Sequence, residues 1–174
     1  MSHVSELGVD ARIVRIFNCY GRRNRLDDGR MVPSFAGQAL RGEPLTVHGD
    51  GSQTRSLCYV DDLVDGLLAA MFTDGTTGRI YNLGQPREHS VLEFAQLIVK
   101  IAGSDSAIMH IAAREADIER RKPVATRAER ELGWTARTSL EDGLASTIAW
   151  YREEMAAARV PEEFRAPTVP ANPR

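Results

Sequence analysis

Several features that mark common protein classes are scarce in this 174-residue chain. The two cysteines, Cys19 and Cys58, form no C-x-x-C pair and have no spacing typical of a metal site, so we expect reduced thiols in a cytoplasmic protein. The longest uninterrupted apolar run, Leu67 to Phe72, is far too short to span a bilayer. The formal net charge of -2 provides no general attraction to nucleic acid or to an anionic membrane. We therefore expect neither as a partner.

The sequence also lacks the short motifs of several functional classes. It has no P-loop, no Ser-His-Asp arrangement, no zinc pattern and no G-x-G-x-x-G turn. Met1 to Asp10 has no basic-then-apolar pattern, so we do not expect a signal peptide. His48 and His89 have no partner at catalytic or metal-binding spacing. The remaining candidates for function are polar side chains at strand ends and in loops.

The order of predicted elements alternates between strands and helices. Apolar and β-branched runs predict strands at residues 12–17, 45–48, 55–59, 79–83 and 107–111. Helical spacing and end signals predict helices at residues 31–41 and 126–132, and others that start near Asp61, Ser90 and Ser139. This alternation predicts an α/β fold. The strands are too few and short for a complete doubly wound sheet.

Two elements carry specific expectations. Arg12 to Phe17 is a nearly continuous apolar run, which is typical of a parallel strand buried on both faces. Only a short segment precedes it, so we expect its covering elements to lie upstream of this sequence. Asp61 is expected to cap the next helix, whose apolar positions from Val60 to Met71 follow helical spacing.

Asn18 and Arg55 are the first candidates for ligand binding. Asn18 follows the first strand, and open α/β sheets bind ligands at that end of their strands. Its amide can bind a phosphate or sugar oxygen, and the alternative is a role in the turn alone. Arg55 follows a glycine-rich turn, Gly49 to Ser52, and its guanidinium offers a planar fork for phosphate. The alternative there is a hairpin turn with a solvated arginine.

Two further arginines lie in predicted loops. Arg121 stands two residues before Pro123, which restricts the loop and can help to aim the guanidinium. Arg30 immediately precedes the helix at residues 31–41, where an arginine can meet an anion. For both residues the alternative is a solvated side chain.

Taken in order, these segments resemble the extended short-chain dehydrogenase/reductase family, the NAD-dependent epimerases and dehydratases. The resemblance covers about Gly8 to Met155 and is greatest toward the UDP-glucuronate decarboxylases, which make UDP-xylose. Its strongest motifs are Arg15-Ile-Phe-Asn-Cys-Tyr-Gly21, Asp28-Gly-Arg-Met-Val-Pro-Ser-Phe35, Gly42-Glu-Pro-Leu-Thr-Val-His-Gly-Asp-Gly-Ser-Gln-Thr-Arg55 and Tyr59-Val-Asp-Asp-Leu63, followed by Asn82-Leu-Gly84, Leu92-Glu-Phe-Ala95, Arg121-Lys-Pro123 and Leu132-Gly-Trp134.

The resemblance implies a role for each candidate residue. Asn18, Arg55 and Arg121 resemble the side chains that contact the diphosphate of a UDP-sugar. Arg30 resembles the arginine near the sugar and its carboxylate, and it is the one catalytic candidate. The segment whose backbone receives the uracil ring is matched by Leu45, Thr46 and Val47.

The resemblance also implies a mechanism that this sequence does not carry in full. In the family, NAD takes a hydride from sugar C4, the β-keto acid loses carbon dioxide, and NADH returns the hydride. A Tyr-x-x-x-Lys pair supplies the base. This sequence has neither that pair nor the dinucleotide turn. It also has Gly21-Arg-Arg where the family usually has Gly-Pro-Arg, and Val124 where it usually has Asp.

These implications define the expected architecture and function. We expect the last strands of an incomplete Rossmann-like sheet joined to a small C-terminal substrate-binding α/β region, in residues 1–158, with a flexible proline-rich tail at 159–174. The expected function is the UDP-sugar-binding half of a UDP-glucuronate decarboxylase-like enzyme, inactive without an NAD site. The alternatives are a stand-alone binding module, an inactive remnant, or a relative of dTDP-glucose dehydratases or epimerases. A homo-oligomer and a separate Rossmann-domain partner both stay open.

Overall fold

The computed structural model describes Glu6 and residues 8–113 and 120–157. Within them, five helices alternate with short strands, which confirms the predicted α/β class. The helices are α1 (Met31–Arg41), α2 (Val60–Phe72), α3 (Val91–Ala102), α4 (Thr126–Leu132) and α5 (Leu140–Ala157). Both complete helix predictions, 31–41 and 126–132, match these bounds. The predicted tail at 159–174 lies outside the described residues.

Nine strands form four small sheets in the described part of the chain. They are β1 (Ile13–Ile16), β2 (Cys19–Tyr20), β3 (Leu45–His48), β4 (Thr54–Arg55), β5 (Cys58–Tyr59), β6 (Ile80–Leu83), β7 (His89–Ser90), β8 (Ile108–Ile111) and β9 (Arg120–Arg121). Parallel pairs join β1 with β6, β2 with β5, and β3 with β8. The fourth sheet places β4 between antiparallel β7 and parallel β9.

The ends of the helices follow local chemistry. Ser90 and Glu93 form the predicted capping box at the start of α3, and Ser139 accepts a hydrogen bond from the Asp142 backbone at the start of α5. Gly42 and Gly133 end α1 and α4 in the left-handed conformation that glycine adopts at little cost.

The strand pair β2–β5 separates two clusters of the core. Tyr20 and Tyr59 meet edge to face at 5.6 Å between ring centroids and belong to the cluster formed by α1, α3 and α5. Cys58 instead packs in a second cluster with Leu63 and Trp134, because successive strand residues point to opposite faces. Burial raises the pKa of the Cys58 thiol to about 12.

Two local predictions are wrong. The single strand predicted at 55–59 is divided between β4 and β5, which belong to different sheets. The break falls at Ser56, whose buried hydroxyl bonds to the Gln85 carbonyl. Asp61 does not cap α2, because the N-cap is Tyr59 and no side chain accepts a hydrogen bond there. Asp61 instead forms an ion pair with Arg22 at 2.8 Å.

The expectation that the first strand is buried on both faces is also wrong for this chain. Among the described residues, β1 pairs with β6 alone, and 55 % of the Ile16 surface is exposed. Helix α2, which contacts β1, buries Leu63 but exposes a row of apolar side chains, with Phe72 71 % exposed. We call the exposed apolar residues of the two elements the α2–β1 face: Ile13, Ile16, Val64, Leu67, Leu68, Met71 and Phe72.

Among the helices in the described ranges, none is both long enough and apolar enough to cross a bilayer.

Candidate functional site

A cavity of about 510 Å³ opens between α1 and the strands β2, β3 and β4. This volume lies within the range of pockets that enclose small organic ligands. Its wall contains four of the predicted site residues, namely Asn18, Arg30, Thr46 and Arg55. The fold therefore gathers residues from four separate segments of the sequence around one space.

The start of α1 forms one side of this cavity. Arg30 is the N-cap residue, and the first turn of α1 contains no acidic side chain. Helix N-termini present unpaired backbone N–H groups and a partial positive charge, which favour an anion. Asp28 holds Arg30 in place: one carboxylate oxygen accepts from the Arg30 backbone N–H at 2.9 Å, and the other lies 2.7 Å from Nε. Most of the Arg30 side chain remains exposed.

Arg55 lies in the central strand of the sheet β7–β4–β9. Its Nη1 donates to the Thr54 carbonyl at 2.8 Å, and the residue lines the cavity. Arg121 is the register partner of Arg55 on β9, so the two backbones are adjacent. The sequence predicted a loop at Arg121, and the structure has a two-residue strand there. The Arg121 side chain lies outside what the structure describes, so its diphosphate role stays a prediction.

Asn18 lies between β1 and β2, as expected for a residue at a strand end. Its carbonyl accepts a hydrogen bond from the Cys58 backbone at 2.9 Å, which fixes the backbone beside the cavity. Asn18 lines the cavity wall. Neighbouring Cys19 also lines the cavity, and burial raises the pKa of its thiol.

Only alternate residues of β3 line the cavity. Leu45 and Val47 are fully buried, and neither lines the cavity. Thr46 and His48, which alternate with them, do line it. Sequence reasoning missed His48 because it has no histidine, cysteine or carboxylate partner at a catalytic spacing. The signal that identifies it is its position two residues after Thr46 on the same strand.

The parts of the chain that the structure describes contain no group of three histidine, cysteine, aspartate or glutamate residues that could hold a metal ion. The NAD-binding elements expected from the resemblance are absent, since the sequence has neither the dinucleotide turn nor a Tyr-x-x-x-Lys pair.

A family model described as the NAD dependent epimerase/dehydratase family matches residues 2–84, which contain most of the cavity wall. Over these residues the chain matches this family. A curated relative, UDP-glucuronic acid decarboxylase 1 from Xenopus tropicalis, is 44% identical over 154 residues. That alignment covers 88% of this chain and 36% of the relative.

Solved structures of family members show the same fold. UDP-glucose 4-epimerase from Thermotoga maritima with UDP-glucose has a TM-score of 0.81 at 31% identity, over 87% of this chain and 49% of that one. UDP-glucuronic acid 4-epimerase from Bacillus cereus, in complex with UDP-glucuronic acid and NAD, has a TM-score of 0.78 at 27% identity, over 87% and 48%. The chain thus spans about a third of the curated relative and about half of each solved structure.

Proposed function

We propose that this chain supplies the UDP-sugar-binding half of a UDP-glucuronate decarboxylase-like enzyme, and that the NAD site and the catalytic base belong to a second half. The observation that carries the proposal is the cavity that brings Asn18, Arg30, Thr46 and Arg55 together. Family members bind UDP-sugars in solved structures, and a decarboxylase is among the curated relatives.

The cavity has the charge that a nucleotide diphosphate requires. Arg55 offers a planar cation that can form two parallel hydrogen bonds to phosphate oxygens. The Asn18 amide can add a neutral donor beside it. In our proposal Arg121, adjacent to Arg55 along the backbone of β9, supplies a second cation. This donor set suits a diphosphate better than a single carboxylate.

Arg30 is suited to the sugar end of the same ligand. It stands at the N-terminus of α1, where both its guanidinium and the helix dipole favour negative charge. A glucuronate carboxylate placed there would be bound without a metal ion. We propose that this arginine selects UDP-glucuronate over UDP-glucose and holds the carboxylate that is lost in the reaction.

The α2–β1 face supports the second part of the proposal. It combines a strand that has one described neighbour with a helix whose apolar side chains extend beyond its buried stripe. Large exposed apolar surfaces on soluble proteins mark interaction sites. We propose that the NAD-binding half of the family fold covers this face, whether it is joined to this sequence or supplied as a separate chain.

Two measurements test the proposed function. Titration calorimetry should detect binding of UDP to the chain, with weaker binding of UMP because one phosphate is missing. Incubation with UDP-glucuronate and NAD should yield no UDP-xylose. Formation of UDP-xylose by the pure chain would contradict the proposal that the NAD site and the catalytic base belong to a second half. Failure to bind UDP would contradict the assignment of the cavity as the UDP-sugar site.

The role of the α2–β1 face can be tested by adding the missing half. The segment of the Xenopus relative that precedes the matched region would be co-expressed with this chain. We expect a complex that survives purification and is lost in the variant Leu68→Lys/Phe72→Lys. Gln96→Lys/Glu153→Lys, which places two lysines at exposed positions of α3 and α5, is the matched control. Equal complex formation by all three proteins would exclude the face as the contact.

A further inference from the structure

The backbone groups of β3 point alternately to the edge that pairs with β8 and to the opposite edge, which we call the free edge. The Leu45 N–H donates to the Ala107 carbonyl at 2.8 Å, and the Gly49 N–H donates to the Ile111 carbonyl at 2.9 Å. In a parallel pair, residues two apart direct their backbone groups to the same side, so Leu45 and Val47 bond to β8. The backbone groups of Thr46 and His48 therefore point to the opposite edge.

Two glutamine side chains occupy the ends of that edge. Gln38, from α1, accepts from the Thr46 N–H at 3.2 Å and donates to the Thr46 hydroxyl at 3.0 Å. Gln53 donates from its Nε2 to the His48 carbonyl at 2.9 Å. These contacts satisfy the first and last polar backbone groups of the two-residue edge.

What remains between the two glutamines is one carbonyl and one N–H. Among the described residues, neither the Thr46 carbonyl nor the His48 N–H has a protein partner. Both residues line the cavity, as does Gln53. The His48 ring is held toward β8 and away from this edge, because its Nδ1 lies 3.0 Å from the carbonyl of Ala112, which directly follows β8. An acceptor and a donor thus stand side by side in the cavity wall.

We propose that Gln38 and Gln53 determine base specificity by restricting this edge to a single acceptor–donor pair. The Thr46 carbonyl would accept from N3–H of a uracil ring, and the His48 N–H would donate to its O4. The inference rests on the proposed UDP-sugar function and adds to it the two positioning residues. The family resemblance implied that the backbone of Leu45, Thr46 and Val47 contacts the uracil ring. In the present proposal the backbone of Thr46 and His48 makes that contact.

The pair discriminates between pyrimidines when the diphosphate is held in one place. Cytosine in the same orientation presents an acceptor at N3 and a donor at C4, which is the reverse of uracil. Both contacts would then be repulsive, and buried polar groups left without partners weaken binding strongly. Removal of Gln38 frees the Thr46 N–H, which gives cytosine N3 a donor one position along the edge. Selectivity should therefore fall when Gln38 is shortened.

The experiment compares UDP and CDP binding by titration calorimetry. We expect the unmodified chain to bind UDP at least about tenfold more tightly than CDP. In Gln38→Ala this ratio should fall at least about threefold. Gln38→Glu should keep the ratio, because its carboxylate still accepts from the Thr46 N–H. Gln96→Ala, at an exposed position of α3, is the matched control and should behave like the unmodified chain.

The outcomes separate this inference from the function on which it rests. Absence of UDP binding to the unmodified, folded chain would overturn both. UDP binding with no preference over CDP, or with the same preference in a Gln38→Ala variant that keeps its thermal unfolding midpoint, would overturn the base-specificity inference alone. If Gln38→Ala does not fold, Gln53→Ala tests the same claim from the other end of the edge, with the same expected fall in the ratio.

Discussion

Arg55 and Arg121 are register partners on the adjacent parallel strands β4 and β9, although they are far apart in the sequence. The third strand of that sheet, β7, lies on the other side of β4. Neighbouring strands lie about 4.8 Å apart, so the two backbones are adjacent, and we propose that both arginines bind one diphosphate. In this proposal the two residues form one anion-binding unit.

The first prediction concerns this unit. We expect Arg55→Ala and Arg121→Ala each to weaken UDP binding at least about tenfold, because each removes charge-assisted hydrogen bonds to phosphate. Arg55→Lys should recover only part of the loss, since an ammonium cannot form the bidentate contact. Titration calorimetry measures these changes, with Arg152→Ala as a control at an exposed site on α5. Undiminished UDP affinity in Arg55→Ala would contradict the assignment.

The second prediction concerns the sugar end of the ligand. Arg30→Ala should weaken binding of UDP-glucuronate by about fivefold to tenfold while changing UDP-glucose affinity little, because only the former offers a carboxylate to the guanidinium. Competition titrations with both sugars measure the ratio. Arg25→Ala, which removes an exposed arginine from the same loop, is the control. An equal loss for both sugars would place Arg30 away from the carboxylate.

The third prediction concerns packing beneath α2. A Cβ atom on Gly66 would come within 2.8 Å of Leu83 Cδ1 and of the Trp134 ring, so Gly66→Ala should lower the free energy of unfolding by about 1–3 kcal/mol. Gly37→Ala in α1 is the matched change. Its Cβ would meet chiefly the flexible end of Arg41, so helix propensity should leave it neutral or more stable by up to about 1 kcal/mol. Urea denaturation compares the two, and an equal cost would refute the packing argument.

The fourth prediction concerns the pH dependence of the α3 capping box. The Ser90 backbone N–H donates to the Glu93 carboxylate and holds its pKa below the usual value. A carboxyl whose pKa is depressed on folding contributes stability above its unfolded pKa and loses it as the pH falls through the folded pKa. Glu93→Gln should therefore be less stable by about 0.5 kcal/mol at pH 7, and the difference should shrink toward pH 3.

Denaturant unfolding at both pH values measures the capping-box difference. Glu153→Gln, near the exposed end of α5, provides a control whose difference should not follow this pattern. If the difference in unfolding free energy between the parent chain and Glu93→Gln grows toward pH 3, the predicted pH dependence is wrong.

Local chemistry was sufficient to predict most helices. The C-terminal ends of α1 and α4 follow from stop glycines at Gly42 and Gly133, whose effect depends on neighbours within one turn. The capping box at Ser90 is recognisable for the same reason. By contrast, β9 at Arg120–Arg121 forms only because it meets β4, and no property of those two residues predicts a distant partner.

The features of the candidate site can likewise be separated into those that the sequence determined and those that only the tertiary structure decided. The sequence by itself determined the α/β alternation, the family resemblance and the candidates Asn18, Arg30 and Arg55, because residue type and spacing are properties of a linear chain. Only the tertiary structure decided that these residues share a cavity, that Thr46 and His48 present the free edge of β3, and that β1 and α2 leave apolar side chains exposed. Hydrogen-bond register and burial depend on which distant segments meet, and that information exists only once the chain has folded.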